Sequence, residues 1–219
     1  MQEAINAFLL GFPALFSIVN PVSGAFIFGG VTEGRPIDER SLLARQVAIY
    51  SLLVMLVALW AGSFVLAIFG ITLAALRVAG GVVVALTAWE LLNRPEHREE
   101  RKQEQAAPAA GADDIALFPM TIPITTGPGT MAVAVALSAS RPGTPEVFAW
   151  FVVGMSAAAV VLALVIWIAY RCTDRIARLM GPAGSRTVTR LSAFLLLCIG
   201  VQILITGVQD VLGPLLARH

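Results

Sequence analysis

Six stretches of the chain are apolar and almost free of charge, separated by short polar segments. Val47–Phe69, Ile115–Ser140, Val147–Tyr170 and Leu191–Gln209 contain no Asp, Glu, Lys or Arg. Ala4–Thr32 is likewise uncharged, and Ile71–Leu92 carries only Arg77 and Glu90. A helix needs about 20 apolar residues to cross a hydrocarbon layer roughly 30 Å thick. Barrel strands would read as short alternating segments instead. The pattern therefore predicts an all-α membrane protein with six transmembrane helices.

Composition agrees, since 58% of the residues are hydrophobic and only 13% are charged, against about 25% charged in ordinary soluble domains. The opening MQEAINAFLL lacks the basic n-region of a secretory peptide, so the first span is expected to be retained. The two cysteines, Cys172 and Cys198, fit no metal spacing or disulfide framework and are expected to serve packing.

Basic residues set the expected orientation. Arg35, Arg40 and Arg45 follow span one. Arg94, Arg98, Arg101 and Lys102 follow span three, and Arg171, Arg175, Arg178, Arg186 and Arg190 follow span five. These are most of the 15 basic residues. The excess of positive charge puts loops 31–46, 93–114 and 171–190 in the cytoplasm and both termini outside. Residues 94–114 are polar and mixed in charge, and read as a mobile cytoplasmic linker; His97 within it is expected to be a solvated histidine.

That linker divides the chain into a first repeat (1–93) and a second (115–219), each with three spans. An odd number of spans per half inverts the second relative to the first. Both halves carry a helix-breaking interruption in their first span: Asn20-Pro21-Val22-Ser23-Gly24 and Pro123-Ile124-Thr125-Thr126-Gly127-Pro128-Gly129. A single proline in a span is ordinarily a kink. Matched Gly/Pro interruptions across an inverted repeat point instead to a transporter's binding site.

The local grammar is specific. Asn is a strong N-cap and Pro is favoured as the first helical residue. New half-helices are thus expected after Asn20, and after Thr126 or Gly127. In the inverted arrangement both begin near mid-membrane, and two helix N-termini there make an anion site. Gly24, Gly127 and Gly129 would admit a ligand to the backbone. Asn20, Ser23, Thr125, Thr126 and Thr130 would hydrogen-bond it, and carbonyls freed by Pro21, Pro123 and Pro128 would accept from an ammonium group. A small zwitterion meets both demands.

Arg77, Arg190 and Gln202 are secondary candidates, gating or structural. Both arginines lie near span ends, where snorkelling or bonding of free carbonyls accounts for them. No nucleophile–base pair, metal motif, phosphate loop or nucleic-acid patch is present, so no enzyme, metal or cofactor role is expected. Membrane lipid is an expected partner and a homo-oligomer a possible assembly.

The chain resembles the MarC/SnatA family of bacterial and archaeal integral membrane proteins. The matching segments are Asn20-Pro21, Leu76–Leu92, Pro123–Ala132 and Arg190–Gly207. The resemblance implies six spans with termini outside, an inverted repeat with a discontinuous first helix in each half, and transport of small neutral amino acids such as glycine and alanine. The expected function is secondary transport by alternating access in the cytoplasmic (inner) membrane. A passive channel for small solutes or ions, and a non-transporting scaffold, are the alternatives.

Overall fold

The structure is a computed structural model, and residues 1–68, 70–93, 95–106, 115–142 and 144–216 are described. Helices α1 (Gln2–Val19) and α2 (Pro21–Val31) form the first span, broken at Asn20. Helices α3 (Ile37–Ile68), α4 (Leu73–Asn93) and α5 (Pro95–Ala106) follow. A π-helical segment, Ala116–Thr125, then leads into α6 (Pro128–Ser138). Helices α7 (Pro145–Arg171) and α8 (Thr173–Leu216) complete the chain, and no strand occurs among the described residues.

Five of these units are long and apolar enough to cross a membrane, and a sixth results if the π segment and α6 count as one span bent by 62°. Within α8, Gly181 at φ 58° and ψ −178° turns the chain between 173–180 and the apolar stretch Ala183–Leu212. That backbone conformation is essentially restricted to glycine.

The broken first span occupies the centre. Its most apolar window is 72% buried, against 28% for α4 and for the apolar part of α8. The outer helices turn large apolar side chains outward, among them Val57, Leu86, Leu164 and Leu195. An apolar exterior of this kind suits lipid, where burial follows close packing rather than hydrophobicity. Cys198, expected to pack inside, lies on this outward side and is exposed; Cys172 is half-buried.

Small residues bring the helices together. A Cβ on Gly154 of α7 would come within 2.1 Å of the Ala4 carbonyl oxygen on α1, and one on Gly81 of α4 within 2.5 Å of the Leu204 backbone nitrogen on α8. Backbone approach of this closeness is what small residues give membrane helices, raising dispersion contact without a hydrophobic driving force.

Part of the expected linker is ordered. Pro95–Ala106 is helix α5, and it packs on the π segment, α2 and α4. Its length and the charge of its lysine and arginines, read as solvation, are used in part for tertiary contacts: Arg101 is ion-paired with Glu90 of α4. Arg94, the His97 side chain and residues 107–114 lie outside the described residues.

The packing yields a direct test. Gly154→Ala and Gly81→Ala should each destabilise by about 1–3 kcal/mol, the usual cost of overpacking. Gly30→Ala, where a Cβ meets nothing within 4 Å, should leave the thermal midpoint of the purified protein unchanged or slightly raised.

Candidate functional site

The first break is built by one asparagine in an unusual conformation. Asn20 sits in the left-handed region at φ 52° and ψ 71°, ending α1 through its backbone N–H to the Phe16 carbonyl (2.8 Å). Asparagine tolerates this region better than other side-chain-bearing residues. Its Oδ1 accepts from Ser23 N–H at 3.2 Å, capping α2, and Pro21 takes the first helical position. Its Nδ2 donates to Thr189 Oγ1 on α8 at 2.7 Å, and that hydroxyl donates to the Ser185 carbonyl at 2.9 Å. Both ends of a buried amide are thus satisfied.

The cap has a consequence one residue upstream. In an unbroken helix the Val19 carbonyl would accept from Ser23 N–H, but that N–H is turned to Asn20 Oδ1. The Val19 oxygen instead accepts from Lys102 Nζ of α5, at 3.4 Å. Lys102 is only 9% exposed.

The second break is made differently. Pro119 and Pro123 lack the N–H that a regular helix uses. The segment is not a regular helix, since Phe118 (φ −129°, ψ 126°) and Ile122 (φ −114°, ψ 121°) are extended before cis prolines. The bonds around them reach five residues back, with Met120 N–H on the Ile115 carbonyl and Thr126 N–H on that of Thr121. Threonine hydroxyls follow the same spacing: Thr121 donates to the Ala116 carbonyl (2.7 Å), Thr125 to that of Met120 (2.6 Å) and Thr126 to that of Thr121 (3.2 Å). Three hydroxyls thereby help satisfy a backbone that lipid would leave unsatisfied.

Helix α6 then starts at Pro128 with Gly127 as its N-cap and no side-chain cap. Gly127 is required by space rather than by torsion, since its φ is −75° but a Cβ would lie 2.4 Å from the Pro123 carbonyl oxygen.

Tyr170, at the end of α7, joins the two breaks. A Cβ on Gly24 would come within 2.4 Å of its hydroxyl oxygen, so α2 lies directly on the tyrosine. That hydroxyl is 2.8 Å from Thr125 Oγ1. The single Thr125 proton goes to the Met120 carbonyl, so Tyr170 is the donor in this pair. The ring stacks on Phe28 of α2 at 4.9 Å between centroids. Three residues on, Thr173 Oγ1 donates to the Ala25 carbonyl.

Beneath α5 lies a cavity of about 260 Å³, lined by Thr87, Glu90, Arg101, Lys102 and Gln105 on one side and by Pro123–Ile124 and Gly127–Gly129 on the other. It lies below the range of roughly 300–1,000 Å³ typical of pockets for drug-sized ligands. Its wall includes the uncapped first turn of α6 together with charges of both signs.

Of the residues singled out in the sequence, Asn20, Pro21, Ser23 and Gly24 form one break, and Thr125, Thr126, Gly127, Gly129 and Thr130 the other. Gly127 and Gly129 face the cavity. The hydroxyls of Thr125 and Thr126 are turned to the backbone in this conformation. Arg77 lies at the far end of α6, bonding the Ala139 carbonyl through Nε (2.6 Å) and that of Arg141 through a terminal nitrogen (3.0 Å), with Asp210 as its ion-pair partner. Arg190 and Gln202 are exposed on α8; the residue that reaches the break is Thr189, adjacent to Arg190. Lys102 and Tyr170 were not singled out. No local motif marks either, although a tyrosine ending an uncharged span is a modest sign in a chain with only two tyrosines.

The model of the MarC family integral membrane proteins matches residues 5–212. This chain belongs to the MarC family. It is 31% identical to the inner membrane protein MarC of Escherichia coli K12, an alignment covering 97% of this chain and 98% of that one. The inner membrane protein MarC of Shigella flexneri matches at the same identity and coverage. No solved structure matches. The match covers both breaks, α5 and every candidate span apart from the first three residues of the first.

The Asn20–Thr189 link should be measurable in this family member. Thr189→Val leaves the buried Asn20 amide without its acceptor and should cost about 1–3 kcal/mol, lowering the thermal midpoint. Thr189→Ser should keep most of the stability.

Proposed function

We propose that this chain is a secondary transporter of small neutral amino acids, of the glycine and alanine type, working by alternating access across the cytoplasmic membrane. The observation that carries the reading is the convergence of two polar, proline-broken spans. Tyr170 touches Gly24 on one side and bonds Thr125 on the other, and Lys102 contacts the first break while lining the cavity of the second. Broken helices in a transmembrane protein commonly mark the substrate site.

The chemistry of the cavity wall suits a zwitterion. The N-terminal turn of α6 favours a carboxylate through its partial positive charge, with Gly129 against the cavity and the Thr130 N–H already turned to the Gly127 carbonyl. Glu90, and carbonyls released where the helices break, suit an ammonium group. The small volume leaves little room for a long side chain.

Helix packing supports an inverted repeat. Exchanging the first three spans for the last three, with the half-helix after one break standing for that after the other, turns the α2–α7 contact into α6–α3 and the α2–α8 contact into α6–α4, and all four contacts occur. The α4–α8 contact maps onto itself. A pseudo-twofold of this sort supplies the two alternative packings that alternating access needs.

Counterflow of radiolabelled glycine and alanine into proteoliposomes tests the function. The wild type should accumulate label above equilibrium, whereas Asn20→Ala and Gly127→Leu should reduce accumulation at least tenfold while still inserting and remaining monodisperse. Equilibration without overshoot would support a passive channel, and no flux of any small solute would favour a scaffold. Normal counterflow in both variants would sink the site at the breaks.

A further inference from the structure

Helix α5 is polar, and among its described side chains Lys102 is the buried one. Lys102 is nine-tenths buried, its ammonium on the Val19 carbonyl at 3.4 Å. One residue earlier, Arg101 is paired with Glu90 at the end of α4. Both side chains line the cavity, whose opposite wall is Pro123–Ile124 and Gly127–Gly129. Helix α5 thus lies between the cavity and its own side of the molecule, held to the first broken span by one cation and to α4 by the other.

We propose that α5 is a lid over the half-helix site and that Lys102 is its latch. The Val19 carbonyl ends α1, where the helix dipole is negative, and the Asn20 cap has diverted its usual donor. Lys102 lines the cavity and reaches this carbonyl, and so ties the cavity wall to the first break. A substrate whose carboxylate draws the ammonium off the carbonyl frees α5, so occupancy and opening are linked. This assignment rests on the transport reading for its purpose, though not for its geometry.

The latch is tested without substrate, by thiol labelling of the full chain in lipid nanodiscs with a membrane-impermeant maleimide. In a Cys172→Ser, Cys198→Ser background, Ile124→Cys reports the cavity floor; Ile124 is fully buried there. Leu137→Cys, buried near the other end of α6, is the control. Adding Lys102→Ala should accelerate labelling at position 124 several-fold and leave position 137 unchanged. Equal rates at position 124 with and without Lys102, or acceleration at both positions, would overturn the proposal. If Lys102→Ala does not give monodisperse protein, Lys102→Met, which keeps the side-chain length and removes the charge, takes its place with the same two outcomes. Faster labelling in a protein that gives no counterflow would keep the latch and remove the transport reading. Unchanged labelling in a protein with counterflow would do the reverse.

Discussion

The structure depends on the need to satisfy backbone polar groups where water is scarce. A transmembrane helix does this automatically, and each proline takes away one donor. The chain answers with side chains on the broken segments themselves. Asn20 replaces a backbone acceptor for Ser23, three threonines place hydroxyls on carbonyls five residues back, and Lys102 reaches a carbonyl from another helix. The breaks therefore persist as defined geometry rather than as loose kinks.

Much of the fold was legible because its signals are local. Long uncharged runs fix the spans, and Asn20-Pro21 and Gly127-Pro128 announce half-helix starts through capping alone. The segment Ala116–Thr125 was not legible, because Pro119, Pro123 and the three threonines between and after them permit several ways to rejoin the chain. Tyr170 and Thr189 were missed for a related reason. Each sits in an ordinary helix, and its importance comes from a partner more than forty residues away in sequence. Lys102 was hidden by its surroundings, since a lysine within a strongly charged stretch reads as solvated until the fold buries it.

Arg77 illustrates the other side of the same physics. Its place near a span end led to the expectation of snorkelling or of bonding to free carbonyls, and its guanidinium bonds two carbonyls near the end of α6 and pairs with Asp210. Those carbonyls have no helical partner, and a planar cation with several donors answers both at once. A charge inside an apolar run is thus spent on closing a helix terminus, and it ties α4, α6 and α8 together away from the breaks.

The two breaks are related by position but differ in how they are finished, and the difference has chemical meaning. At the first, Asn20 caps α2, Thr189 holds Asn20, and the start of the helix is closed by its own chain. At the second, Gly127 supplies no side chain, a Cβ there is excluded by the Pro123 carbonyl, and α6 begins against the cavity. A symmetric pair of open N-termini would gather positive potential at two points and favour a dianion. One closed and one open end favour a single carboxylate. On the proposed transport function, the asymmetry would suit a ligand with one carboxylate rather than two.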